Sequence, residues 1–395
     1  MPSPFFLLPL TRYDQQGQFR IMAPDIISPP SLAEHFTDKE IASLLDRKLL
    51  HALSYDGIDM VRLSQDYKSY PRGTVFHGHT VIPGYPAIMR VLHLKNGIEH
   101  YFEDTFYIEE KVDGYNVRVA MINGTPLAFT RGGFVCPFTT DRLPDLIDLT
   151  FFDYYPQYTL CGEIVGPGNP YNTEVIPYIK DDVVFFVFDF LDEQGRQIAI
   201  TERYALLECF HMHQVARWGE FSLSDIPAVK EIILELDRTG REGIVVKPTG
   251  SGRMIKYVTP SSCLRDLQST TNLMAEIPAG YYIQRILRAV FFSHEFGIPL
   301  SEDYLVASAK ALYSIPGLAV EQIANGGSIK ETFEIKVRHK EAIDKLLAHL
   351  NRAGVRTELV SLEQMDGYFK VKFYKIYTKM TKELRHRLAG KGFYD

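Results

Sequence analysis

A lysine followed at once by an acid and a glycine, Lys111-Val112-Asp113-Gly114 in the run FYIEEKVDGYNVRV, carries the most chemical content of any short segment in this sequence. An amine is a nucleophile only when deprotonated, which burial or a neighbouring cation favours by lowering the lysine pKa from about 10.4. Asp113 could position a ribose hydroxyl, and Gly114 could let backbone approach a ligand closely. The same residues also fit a surface lysine before a turn. The other Asp-Gly pairs, Asp56-Gly57 and Asp366-Gly367, have Ser54 and Gln364 where the lysine would stand, so the chain offers one such site. Downstream, in order, come Arg118, Arg131-Gly132-Gly133, Glu163 in CGEIVG, Phe188-Asp189, Glu242 and Lys247 in EGIVVK, and Lys256. Singly, each has an ordinary reading: exposed carboxylates at strand ends, a core phenylalanine, a turn, a strand-ending lysine. Jointly, independent accidents would have to fall in a fixed order on strands of one domain.

That ordered set resembles the covalent nucleotidyltransferases, the polynucleotide ligases and capping enzymes, and within them the archaeal-type, ATP-dependent, homodimeric RNA ligases that circularise single-stranded RNA. The resemblance extends to RGTVFHGHTVIPGYP before the lysine and to the helical and basic segments after it. It implies that Lys111 is the adenylated nucleophile, with Asp113, Gly114 and Arg118 around the nucleotide and Arg131 on ribose or phosphate. It implies that Glu163 serves the ribose or a metal, that Phe188 stacks on adenine, and that Glu242 holds Mg²⁺ (or Mn²⁺). Lys247 and Lys256 would be phosphate-side lysines. The last motif of the family usually has two lysines one residue apart; Met254, Lys256 and Val258 leave one here. The expected cofactors are ATP and a divalent cation, and the expected partners single-stranded RNA and a second copy of the chain. A DNA ligase, a GTP-using capping enzyme and a non-catalytic nucleic-acid-binding scaffold are the alternatives.

The elements that must position these residues can be read from periodicity. From Gly73 onward, short β-like runs alternate with Gly and Pro, and Asn123-Gly124 between alternating runs marks a hairpin. YTLCGEIV, DVVFFVFDFL and GIVVKP read as further strands and TERYALLECFHMHQVA as a helix. The expected fold is α+β, a mostly antiparallel nucleotidyltransferase domain over residues 76–262 after an N-terminal segment, 1–75. In that segment LAEHFTDKEIASLLDRKLLHAL has helical spacing, with Thr37 as a cap. Residues 263–326 carry helical spacing and, by resemblance, form a dimerisation domain with Tyr281, Ile286 and Phe291 among its apolar candidates. An ordinary core-facing helix set fits the same pattern. A strand-helix-strand-strand order over 327–395 makes a small basic α/β domain.

With 395 residues, more than one domain is expected, and 46% hydrophobic with 23% charged residues excludes disorder as the main theme. No apolar run approaches the roughly 20 residues of a membrane span, and the start MPSPFFLLPLTRYDQQ does not read as a signal peptide, so a cytoplasmic location with no membrane partner is expected. Cys136, Cys161, Cys209 and Cys263 form no C-x-x-C pair and read as buried reduced thiols. His77-x-His79 and His211-x-His213 lack further ligands for zinc, and Gly166-Pro167-Gly168 and Gly390-Lys391 lack the glycines of a phosphate loop. The net charge is -6, yet from Lys330 onward fifteen Lys and Arg face nine Asp and Glu. There, YFKVKFYKIYTKMTKELRHR interleaves aromatics and cations, as a single-stranded RNA surface would and as a solvated strand and helix would.

Overall fold

The computed structural model describes residues 11–13, 19–21, 30–172, 177–250 and 252–392; the start of the chain read above falls largely outside them. It is a mixed α+β structure whose sheets are almost wholly antiparallel.

The hairpin β1 (Thr11–Tyr13) and β2 (Phe19–Ile21) and the turn α1 (Pro30–Ala33) precede α2 (Asp38–Asp46). Thr37 caps α2 in a reciprocal box, its hydroxyl accepting from the Glu40 amide while Glu40 accepts from the Thr37 amide. The helix stops earlier than the apolar spacing suggests, because Lys48 takes a left-handed φ of 55°. The remaining residues become β3 (Leu50–Tyr55), paired with β4 (Ile58–Leu63) across Asp56-Gly57, both at positive φ. β5 (Val75–His77) and β6 (Thr80–Ile82) complete this sheet, with Phe36, Leu44, Leu63 and Phe76 in its core.

Two sheets then build the centre of the molecule. One contains β7 (Met89–Arg90), β8 (Phe106–Lys111), β13 (Arg217–Phe221), β14 (Gly243–Pro248) and β15 (Ile255–Val258), in the order β13-β8-β14-β15-β7. The other contains β9 (Tyr115–Ile122), β10 (Thr125–Thr130), β11 (Thr159–Val165) and β12 (Val184–Leu191), in the order β10-β9-β11-β12. Alternation gives each sheet one apolar outer face. Ile108, Ile244, Val246, Ile255 and Tyr257 pack with α3 (Leu94–Tyr101) and α7 (Ile226–Arg238). Val117, Val119, Leu160, Phe185, Val187 and Phe190 pack with α4 (Pro137–Leu146), α5 (Phe151–Tyr154) and α6 (Ile200–Cys209). The opposite faces, which carry the polar residues, meet across a cleft. The Asn123-Gly124 hairpin forms as expected, with φ of 50° and 75°.

Helices α8 (Pro260–Thr270), α9 (Ala279–Phe296), α10 (Glu302–Ala309) and α11 (Ile315–Ala324) follow, the last two joined through a π turn at Lys310–Ser314 just before Pro316. The chain closes with β16 (Lys330–Val337), α12 (Lys340–Arg352), β17 (Arg356–Met365), β18 (Tyr368–Ile376) and α13 (Thr378–Leu388), in a sheet of order β16-β18-β17. Ile343, Leu346 and Leu350 of α12 share a core with Phe138 and Leu143 of α4. Arg142 reinforces the junction, donating to the Lys336 carbonyl at 2.9 Å and pairing with Asp182 at 3.0 Å. Of the four thiols, Cys209 is exposed and the other three are buried, because Cys209 ends the short helix α6 facing away from the sheet. Among the described residues no helix is long and apolar enough to cross a membrane, and no group of three or more His, Cys, Asp and Glu is placed to hold a metal.

Candidate active site

Lys111 is the last residue of β8, and the three residues after it carry the chain from one sheet to the other. Its face of the strand is shared with Glu109, and the residues registered opposite, Gly243, Val245 and Lys256, lie on that same face. Gly243, at a φ of 151°, lets β14 approach β15, since a Cβ there would lie 2.0 Å from the Tyr257 carbonyl oxygen. Gly114 is required for a different approach than that read from the sequence: a Cβ there would lie 2.1 Å from the Ile164 carbonyl oxygen, so the close contact is with β11, not a ligand.

The second sheet supplies Asn116 and Glu163, registered opposite each other, and Phe188. β12 bulges against β11: Gly162 faces Val187 and Cys161 faces Asp189, so Phe188 is the extra residue. A bulge breaks the alternation of side chains. Phe188 and Asp189 thereby both reach the cleft side, one as an apolar ring and the other as a buried carboxylate. The cleft encloses about 670 Å³, mouth included, and is lined by Tyr85, Lys111, Glu163, Phe188, Lys247 and Lys256 among others.

Lys111 Nζ donates to Glu242 Oε2 at 2.6 Å. Burial disfavours its charge, but Glu242, then Glu163 and Asp113, outweigh burial and raise its pKa above the ordinary value. This reverses the expectation of a depressed lysine: unliganded, the amine is held as an ammonium. The strain falls on its partners. Burial foremost pushes Glu163 up to about 8 and Glu242 to about 7, with Lys111 opposing and neighbouring carboxylates adding to the rise. Lys256 is pushed down to about 8, by burial first and then by Lys111, Arg90 and Arg131.

A second polar cluster underlies the wall. Lys247, 3% exposed, donates to the Phe188 carbonyl at 2.8 Å and pairs with Asp189 at 2.9 Å and Glu109 at 2.8 Å. Arg203 pairs with both of those carboxylates, and Tyr204 donates to Glu109 at 2.7 Å. Burial opposes ionisation of Glu109, yet Lys247 and Arg203 hold its carboxyl below the ordinary value. Tyr85 donates to Asp189 and sets its ring edge-on to Phe188, centroids 5.1 Å apart. The cluster fixes the backbone beneath Phe188 and leaves that half-buried ring as an apolar platform on one side of the cleft.

The structure therefore brings Lys111, Asp113, Glu163, Phe188, Glu242, Lys247 and Lys256 around one cleft, with Arg131 exposed at its rim. Arg118 stands elsewhere. It is fully buried, and its guanidinium donates to the carbonyls of Gly73, Pro83 and Thr130, which leaves it facing the 73–85 loop instead of a nucleotide. Lys247 has its protons engaged by three oxygens, so it braces the wall. Sequence reasoning missed Tyr85, Glu109, Arg203 and the role of Asp189; the readable signal was a run of acids in strands otherwise apolar. His77 is satisfied by the Asp59 carbonyl and Asn123.

Comparison with known proteins places the chain by family and fold. The family model described as RNA ligase matches residues 104–258, and that described as the C-terminal region of ligase Pab1020 matches residues 269–391. A solved structure from Aquifex aeolicus, provisionally described as an ATP-dependent DNA ligase, is 35% identical with a TM-score of 0.86 over 91% of this chain and 100% of that one. An archaeal ATP-dependent RNA ligase superposes with a TM-score of 0.82 at 29% identity, over 90% of this chain and 96% of that one. An uncharacterized protein of Methanocaldococcus jannaschii is 29% identical over 367 residues, 89% of this chain and 93% of its own. By fold, by its two consecutive family matches and by relatives spanning nine-tenths of its length, the chain belongs to the archaeal-type ATP-dependent RNA ligases.

Proposed function

We propose that this protein joins RNA 5′-phosphate and 3′-hydroxyl ends, single-stranded RNA circularisation included, through a lysyl-AMP intermediate on Lys111. The observation that carries the reading is a half-buried lysine between two carboxylates, Glu242 and Glu163, in a cleft with an aromatic platform on one side and a lone lysine, Lys256, on another. The Lys111 amine attacks the α-phosphorus of ATP; a phosphorus–nitrogen bond forms, the bond to pyrophosphate breaks, and the lysine proton is lost. AMP then passes to an RNA 5′-phosphate, and a 3′-hydroxyl displaces it to form the phosphodiester. Phe188 stacks on adenine, Asp113 and Arg131 face the ribose and phosphates, and Lys256 offsets charge developing on the α-phosphate. Arg118 acts by positioning, holding the loop that presents Tyr85.

The site suits a hard divalent cation, Mg²⁺ or Mn²⁺. Glu163 and Glu242 are oxygen donors, and the buried Asn116 Oδ1 opposite Glu163 has no hydrogen-bond donor. Such an ion would be held by Glu163 and Glu242 and would offset the negative charge of the phosphates. The same two carboxylates keep Lys111 protonated, so neutralising them favours the free amine.

RNA as acceptor is supported by the C-terminal sheet. On β18 the residues Tyr368, Lys370, Lys372 and Tyr374 share one face, and Lys330 lies 4.0 Å from the Tyr374 ring centroid. Lys375 points the other way, into the junction with Tyr171. A DNA acceptor is the second reading, favoured by the description given to the Aquifex relative. A homodimer is supported by α9, where Ile283, Ile286, Leu287 and Val290 form one exposed apolar stripe, 37–55% accessible. Tyr281 is instead occupied by Arg285 at 3.2 Å. Three buried free thiols fit a reducing cytoplasm. Incubation with α-labelled ATP and Mg²⁺ should leave label on the denatured wild-type chain and none on Lys111→Ala; unlabelled wild type, once freed of bound AMP with pyrophosphate, sinks the reading. RNA and DNA acceptors tested side by side decide between the two substrates.

A further inference from the structure

More positive charge gathers beside Lys256, a lining residue of the cleft, than its neighbours balance. Arg90, on the edge strand β7, is registered beside Lys256, and residues side by side in a parallel pair project to the same face. It is exposed and makes no hydrogen bond or ion pair with the described residues. Arg285 and Arg288, three apart on α9, approach from the helical side on one helix face. Arg285 is satisfied by Asp266 at 2.6 Å. Arg288 is not: it is 4% exposed, its nearest acceptor is the Cys263 sulfur at 3.9 Å, and its Nε and Nη2 have no acceptor. A buried guanidinium left this way is destabilising unless something supplies the anion. Crowding agrees with the geometry: Arg90 is exposed at its surface yet closely surrounded, and that desolvation first, then Arg288 and Arg285, pull its pKa down. Two carboxylates, Asp266 paired with Arg285 and Glu242 shared with Lys111, thus stand against Arg90, Arg285, Arg288 and Lys256.

We propose that Arg90 and Arg288, with Lys256, form a second phosphate subsite on the α9 side of the cleft, taking phosphate groups beyond the one bonded to adenosine. The planar, multiply donating guanidinium matches phosphate oxygens, and α9 then serves the catalytic cleft as well as its own apolar stripe. The inference rests on the cleft being the nucleotide site. The phosphates come either from the pyrophosphate half of ATP or from the RNA 5′ end, and separate steps distinguish these sources.

The test uses the full chain and the variants Arg90→Gln, Arg90→Lys and Arg288→Met, each checked for unchanged thermal unfolding. Titration with inorganic pyrophosphate should show binding to wild type weakened roughly tenfold in Arg90→Gln and Arg288→Met and partly restored in Arg90→Lys. If the phosphates are those of ATP, lysyl-AMP formation slows about tenfold while sealing of pre-adenylylated RNA holds. If they are the RNA's, lysyl-AMP forms normally and AMP transfer to 5′-phosphorylated RNA slows. Pyrophosphate binding and both steps within twofold of wild type in folded Arg90→Gln and Arg288→Met would overturn the subsite. Failure of wild type to form lysyl-AMP would instead strike the ligase reading, with the pyrophosphate titration still deciding the subsite.

Discussion

At the scale of single residues, the site is a proton-sharing cluster. Glu163 and Glu242, pushed by burial to about 8 and about 7, are partly protonated near neutrality. A divalent ion must compete with those protons, so its apparent affinity should strengthen as pH rises from about 6 to 9, which a Mg²⁺ titration of lysyl-AMP formation across that range would show. Stability runs the opposite way. The native state binds more protons than the unfolded chain between about pH 4.5 and pH 8, so stability falls as pH rises through that window. Glu163→Gln should therefore unfold at higher denaturant than wild type at pH 8.5, by about 2 kcal/mol, and differ little at pH 4, while losing activity. A uniform effect at both pH values would contradict the raised pKa. Phe188→Ala, which removes the platform and leaves the Lys247 cluster intact, should weaken ATP binding by on the order of tenfold, with stacking worth about 1–3 kcal/mol per base. Unchanged affinity would remove Phe188 from the nucleotide site.

At the scale of elements, the close crossing between the two sheets sets the position of Lys111. Gly114 lies where β9 meets β11, and a Cβ would drive into backbone that cannot yield. Gly114→Ala should lower stability by about 2 kcal/mol or more, with soluble yield and denaturant unfolding as the measure. Wild-type stability would mean that the strands separate more easily than their packing suggests. The bulge on β12 has a similar role, because without the extra residue Phe188 and Asp189 could not both face the cleft.

At the scale of the whole molecule, the C-terminal unit shares its core with α4, and Arg142 and Lys375 fasten it to the central sheets. On its β18 face away from that core, Lys370 and Lys372 pair with Glu334 at 3.3 and 3.1 Å beside Tyr374. The apolar stripe on α9 lies on the opposite side of that helix from Phe292, which packs in the central core. Light scattering at micromolar concentration should give the mass of a dimer for wild type and of a monomer for Ile286→Asp with Val290→Asp. A monomeric wild type would assign the stripe some other partner.

The sequence by itself determined what depends on residue type and short period. The alternating strands, the Asn123-Gly124 hairpin, the Thr37 cap and the ordered run from Lys111 to Lys256 were legible because each is encoded within a few neighbouring residues. The hairpin at Asp56-Gly57 was equally encoded, and helical spacing from Leu32 to Leu53 obscured it. Tertiary structure decided the rest. That Arg118 props a loop, that Lys247 is consumed by Glu109 and Asp189, that Gly114 yields to a carbonyl and that Lys111 is held as an ammonium all depend on partners 12 to 138 residues distant. A side chain's charge state and free valences are set by what long-range packing places against it, and no local spacing records that.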